Sequence, residues 1–245
     1  MIDTIAEGAG PLVVMLPSRG RDSEDYDAVA AAIAAQGYRV LRPQPRGVHG
    51  STGPTDGLTL HDLAGDVGAV VVAEGGGPAI IVGHAFGNWV ARMLATDRPA
   101  LVRGVVLAAA AAKSYPPGLS VAVTKVADPA VPEAERLQYL RTAFFAPGHD
   151  PSVWLLGWFP AASRAQRDAA DRTPQSAWWA GGTAPLLDLQ AGIDPFKPEA
   201  SRRELLDEFP GRVTMVVIPG TSHALLPEAP DAVADAIVTW VRGLP

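Results

Sequence analysis

The run VGHAFGNWV, residues 82–90, sets Gly83 and Gly87 on either side of a short turn centred on Ala85. With serine at that centre it would be a Gly-x-Ser-x-Gly turn, which holds a reactive hydroxyl at the end of a strand for attack on an acyl carbon. Ala85 offers only a methyl group. Two later loops carry groups fit for proton transfer: Asp194 in LLDLQAGIDPFKPE and His223 in VVIPGTSHALLPEAP. A histidine acting with a carboxylate can serve as general base toward a bound water or a carbon acid, given hydrogen-bond reach and a suitable pKa.

These residues need elements to hold them. Short apolar runs recur at 11–16, 38–43, 78–83, 104–110, 185–190 and 213–218, nearly continuous rather than alternating, as strands buried on both faces are. Helical patterns lie between most of them. SEDYDAVAAAIAAQG at 23–37 carries a serine suited to capping, acids in its first turn and a closing glycine. TLHDLAGDVGAVVVAEG at 59–75 is a second, and PDAVADAIVTWVRG at 230–243 opens on proline and ends on Arg-Gly. Such alternation predicts right-handed crossovers and a mainly parallel sheet covered on both faces, an α/β fold. Ligands then bind at the carboxyl ends of the strands, where the turn at Ala85 and the loops of Asp194 and His223 all fall.

The alternation breaks once. Residues 114–184 pass without a clear strand and contain every tryptophan except Trp89 and Trp240, so this segment is expected to form a helical cap inserted into a core of residues 1–113 and 185–245. Trp154, Trp158, Phe159, Trp178 and Trp179 are its candidate pocket residues, with packing of cap onto sheet as the plainer explanation.

Composition narrows the functions. The chain has 245 residues, a net charge of −6 and no cysteine, which disfavours nucleic acid as a partner and excludes disulfides, thiolate metal sites and cysteine nucleophiles. There is no basic leader followed by an apolar stretch and no run of about 18 apolar residues, so a soluble cytoplasmic protein without a membrane partner is the default expectation. The composition leaves the oligomeric state open. A dinucleotide fold fails on order, because the glycines of AEGGGPAIIVG precede their strand instead of following it.

From EGAGPLVVMLPSRG through YRVLRPQPRGVHGSTGP, the elbow, the insert and the two loops, the chain resembles the α/β-hydrolase superfamily, in which elbow, acid and histidine follow in this order. The resemblance implies a triad with Ala85 in the nucleophile's place, His223 taking and returning the proton, and Asp194 orienting the imidazole. It implies an oxyanion hole built from the backbone N–H of Phe86 and a second N–H near Ser18 or Arg19, where Pro17-Ser18 replaces the family's usual His-Gly. No cofactor or metal is implied, and the substrate is expected to be a small, fairly apolar ester, lactone or amide.

Ala85 has two explanations: a replacement for serine made to trap an unreacted substrate, or a native residue in a protein whose chemistry, if any, needs no hydroxyl. The sequence leaves open an inactive or non-serine hydrolase, a ligand-binding pseudoenzyme, and a lyase or isomerase that uses the His–Asp dyad. Ser18 and Ser222 are poor substitutes as nucleophile, since Ser222 adjoins His223 in the chain and neighbours rarely face each other. Arg19 could pair with a substrate carboxylate, against the plainer reading of a solvated arginine. Packing or loop structure is sufficient for His84 and His49, and helix-start acids explain Asp62 and Asp66 beside His61 better than a metal does.

Overall fold

A computed structural model describes residues 1–116 and 118–245. The apolar runs form β2 (Leu12–Leu16), β3 (Arg39–Pro43), β4 (Ala79–His84), β5 (Val102–Ala108), β6 (Leu186–Ala191) and β7 (Val213–Ile218), preceded by β1 (Thr4–Gly8). They make one sheet in the order β1-β3-β2-β4-β5-β6-β7, parallel throughout except where β1 pairs antiparallel with β3. The edge strand β1 is absent from the sequence expectation. Its TIAEG is too short and polar to stand out, and it is only partly buried.

Helices follow the strands: α1 (Asp27–Ala35), α2 (Leu60–Ala73), α3 (Gly87–Asp97), α4 (Gly118–Ala127), α5 (Glu133–Ala143), α6 (Pro160–Asp171), α7 (Gln175–Trp178), α8 (Glu204–Glu208), α9 (Leu225–Glu228) and α10 (Pro230–Arg242). Successive strand residues point to opposite faces, so Ile81 packs with Leu63 and Val67 of α2 and Leu94 of α3, while Ile80 and Val82 pack with Ile33 of α1 and Ile237 of α10. Burial of each such side chain stabilises by about 1.5–3 kcal/mol. Two helical starts differ in kind. Thr59 and Asp62 form a capping box on α2, but Ser23 makes no cap. Its hydroxyl donates instead to the Arg42 carbonyl, at 3.2 Å, and a 3-10 turn over Glu24–Tyr26 leads into α1.

Between β5 and β6 the described residues form α4 to α7, and a third apolar cluster joins Leu140, Phe144 and Trp154 of this insert to Phe196 and Ala224. The insert therefore packs on the loops that follow β6 and β7. The strand order reverses about β2 and β4, and the carboxyl ends of these two strands open into one crevice. Among the described residues no helix is long and apolar enough to cross a membrane.

Candidate active site

The elbow is built by close approach. A Cβ on Gly83 would stand 2.4 Å from the Asn88 backbone, and one on Gly87 would stand 2.4 Å from the Leu16 carbonyl oxygen, so only glycine fits either position. Between them Ala85 has a φ of 46°, in the left-handed region that costs a non-glycine residue about 1–2 kcal/mol. Its N–H donates to the Ala108 carbonyl at 3.0 Å, and its own carbonyl accepts from the Asn88 backbone at 3.1 Å and from the Asn88 side chain. These bonds hold the turn without any help from the side chain at 85. The Phe86 N–H has no acceptor among the described residues.

The loops after β6 and β7 are laced together. The Gly192 N–H donates to the Ile218 carbonyl and the Ile193 N–H to the Thr221 carbonyl, each at 2.9 Å, which brings Asp194 beside His223. His223 Nδ1 lies 3.0 Å from Asp194 Oδ2, with both side chains buried. Asp194 Oδ1 accepts the Phe196 N–H at 2.8 Å, and the Phe196 ring stacks on the imidazole with centroids 4.1 Å apart. With the ionised carboxylate an acceptor only, Nδ1 carries the proton and Nε2 keeps its lone pair. The Ala224 N–H donates to the Phe144 carbonyl at 2.7 Å, and the Glu228 carboxylate accepts from the N–H groups of Ser222 and Ala146, fastening the insert to the histidine loop. Burial raises the Glu228 pKa above the ordinary carboxyl range.

A buried polar chain ties the third loop to this pair. The Ser18 N–H donates to Tyr26 Oη at 2.9 Å, Tyr26 Oη lies 2.9 Å from His84 Nδ1, and His84 Nε2 lies 2.7 Å from the His223 carbonyl. A carbonyl only accepts, so Nε2–H donates to it and Nδ1 accepts the Tyr26 hydroxyl. His84 is thus neutral, its pKa lowered to about 3 by burial first and by His223 second. Burial likewise pushes the Tyr26 phenol well above its usual value. The network also uses the N–H of one of the two donors expected from this loop. Ser18 has spent its N–H on Tyr26, and Gly20 donates to Gln166 Oε1 at 2.7 Å, while the Arg19 N–H has no acceptor among the described residues. Ser18 is therefore withdrawn as a donor.

Ala85, Phe86, Arg19 and His223 face a cavity of about 220 Å³ whose aromatic walls are Trp89, Tyr115, Phe144 and Phe196. The five cap aromatics expected there line other places, which corrects the sequence expectation. Trp154 and Trp158, set perpendicular to each other, both lie against the Arg21 guanidinium, Phe159 packs edge-on to His49, and Trp178 and Trp179 lie against Arg92. Trp178 and Trp179 border a neighbouring pocket that shares Trp89 and Tyr115. They bury their rings to anchor the insert, each large side chain covering a cation of the core. One wall residue is close to the turn in the sequence: Trp89 stands in the first turn of α3, directly after the elbow. Tyr115 and Phe144 are not, because tertiary packing of the insert brings them in.

The remaining candidates have local partners. His61 pairs with Asp97, Asp62 with Thr59 and Asp66 with Arg46. Ser222 lies beside its neighbour His223 with its hydroxyl 3.5 Å from the Ile193 carbonyl. His49 meets Asp22 at 3.2 Å, and with Glu24 these form a group with ligand-type atoms within 4.8 Å of one another, away from the cavity lining. Asp22 in that group is already bonded, through Oδ2 to His49 and through Oδ1 to the Glu24 N–H.

The chain belongs to the alpha/beta hydrolase family, whose model matches residues 13–236. It is 27% identical over 257 aligned positions to "Putative non-heme bromoperoxidase BpoC" of Mycobacterium tuberculosis, covering 95% of this chain and 94% of that protein. A pyrethroid hydrolase of Sphingobium wenxiniae is 27% identical over 238 positions, covering 88% of this chain and 82% of the relative. Among solved structures, the enol-lactonase from Burkholderia xenovorans superposes with a TM-score of 0.81 at 21% identity, over 98% of this chain and 96% of that one, a likeness of fold.

Proposed function

We propose that the protein acts on a small, fairly apolar ester, lactone or amide bound in the cavity over Ala85, with His223 as general base toward water. Water attacks the acyl carbon as Nε2 takes its proton, and the oxyanion is met by the N–H groups of Phe86 and Arg19. Collapse expels the alkoxide or amine, which recovers the proton from Nε2. Asp194 holds the imidazole in the tautomer that can accept and stabilises the imidazolium. No acyl-enzyme forms, since Ala85 carries no nucleophile.

The observation that carries this reading is the buried His223–Asp194 pair opening onto the same cavity as the free Phe86 N–H. The names of the relatives, a pyrethroid hydrolase and an enol-lactonase among them, support a substrate with a cleavable acyl group. The test is hydrolysis of a panel of small nitrophenyl esters. A Ser-His-Asp enzyme stripped of its serine keeps about 10³–10⁴ over water from its oxyanion hole and binding alone, so turnover above that level is the share expected of His223, lost in His223→Ala and much increased in Ala85→Ser. A folded Ala85→Ser that stays inert across the panel would overturn the reading. The methyl group at 85 favours a second one, a binding protein without turnover, which predicts ligand binding indifferent to His223→Ala.

A further inference from the structure

Arg19 differs from the other enclosed arginines. Arg21 is bonded to Asp25, Arg42 to Glu7 and Asp27, and Arg92 to the Trp179 carbonyl. Arg19 makes no ion pair or hydrogen bond through its side chain among the described residues, and its Nε is buried without a partner. The side chain lines the Ala85 cavity and also an adjoining cavity of about 390 Å³, whose wall on α6 carries Arg164 and Arg167. The acid of the first cavity's lining, Asp171, is exposed at the end of α6 and forms no ion pair with Arg19. Burial lowers the Arg19 pKa, with Arg167 acting in the same direction and Tyr115 and Asp171 offsetting part of the shift.

We propose that the substrate carries a carboxylate, which binds the Arg19 guanidinium while the reacting carbonyl lies over Ala85. This rests on the cavity being the substrate site. A guanidinium offers a planar fork that two carboxylate oxygens fill side by side, and the unpartnered Nε belongs to that fork. The residue's own backbone N–H is a proposed oxyanion donor, so the two charges of the bound substrate are separated by about one arginine side chain. A short acyl chain ending in a carboxylate fits that span. The apolar walls Trp89, Tyr115 and Phe144 enclose the chain between, and the adjoining cavity adds Arg164 and Arg167 against the single acid Asp128.

The chain with Ala85 binds an ester without acylation, so affinity is measured directly. Calorimetric titration compares monoethyl glutarate with the neutral diethyl glutarate. The half-ester is expected to bind about tenfold to a hundredfold more tightly, the range for a hydrogen-bonded charge. Arg19→Met is expected to bring the two affinities to within about twofold, and Arg19→Lys, which keeps the charge but loses the fork, to fall between. Equal binding of the two esters by the unaltered chain, or a preference that survives Arg19→Met in a protein that melts normally, overturns the proposal. Should Arg19→Met fail to fold, an undiminished preference in Arg19→Lys overturns it as well. Turnover plays no part in this measurement: an inert Ala85→Ser sinks the hydrolytic reading and leaves the carboxylate preference standing, and active Ala85→Ser with no preference does the reverse.

Discussion

His84 makes the stability of the fold depend on acid in a way that can be worked through. Its imidazole is enclosed against Tyr26, Trp154 and His223, with Arg21 adding a further positive charge, and its pKa is lowered from 6.5 to about 3. In the unfolded chain the same group titrates normally. As pH falls below about 6.5 the unfolded state takes up a proton that the folded state refuses, so stability is complete above that value and drains away toward pH 3. At 1.36 kcal/mol per unit of pKa difference, the loss between about pH 7.5 and about pH 5 is about 2 kcal/mol. His84→Gln isolates it, because the amide oxygen can accept the Tyr26 hydroxyl and the amide nitrogen can donate to the His223 carbonyl, without titrating.

The assay is urea unfolding of both proteins at the two pH values, read as a difference of differences so that carboxylates common to both cancel. Glu228 is one of these, and its sign is opposite: burial raises its pKa, so it contributes stability that is lost as pH rises through the folded value. The unaltered protein should lose about 2 kcal/mol more than His84→Gln on acidification. Losses equal to within about 0.5 kcal/mol, with unchanged denaturant slopes, would refute the neutral, buried assignment of His84 and with it the hydrogen-bond directions from Ser18 to His223.

Two further substitutions probe the frame. Gly87→Ala puts a methyl group 2.4 Å from the Leu16 carbonyl oxygen and 2.8 Å from that of Pro17. A loss of about 1–3 kcal/mol in thermal or urea unfolding is expected, and a neutral result would mean that β2 and α3 are less closely held than described. Lys197 is buried with its ammonium 3.5 Å from Asp188 and 3.2 Å from Glu204, so Lys197→Met takes the ion-pair partner from the fully buried Asp188 carboxylate and leaves it the Gln190 amide as its hydrogen-bond donor. Its cost should be about 3–5 kcal/mol, and less than about 1 kcal/mol would show that Asp188 does not depend on the lysine.

The parallel core strands were legible because a strand buried on both faces writes its apolar run without interruption, as in PAIIVG, which overlaps β4 (Ala79–His84), a strand buried throughout. The edge strand β1 has no such constraint. Loop positions followed from strand ends, while the pairing of Asp194 with His223, 29 residues apart, came from the resemblance to the α/β-hydrolases. Side-chain partners set by tertiary contact left no trace of that kind: Tyr26 reaches His84 across 58 residues, and neither has a spacing that announces the other. The cap tryptophans misled for a physical reason, since a large aromatic ring serves equally to wall a pocket or to cover an arginine, and here Arg21 and Arg92 take that cover. The serine expected to cap α1 was drawn off by the Arg42 carbonyl.

The turn at Ala85 keeps its positive φ without a hydroxyl because the backbone has no alternative. Gly83 and Gly87 press against Asn88 and Leu16, and the Ala85 N–H and carbonyl are both bonded. The direction of the Phe86 N–H follows from this turn, and that of the Arg19 N–H from the neighbouring bonds of Ser18 and Gly20. Neither depends on the side chain at 85. Electrostatic stabilisation of a developing oxyanion, often the largest single contribution to acyl transfer, can therefore outlast the nucleophile it usually serves. On the proposed function, Ala85 closes the covalent route, and attack falls to a water that His223 deprotonates within the cavity.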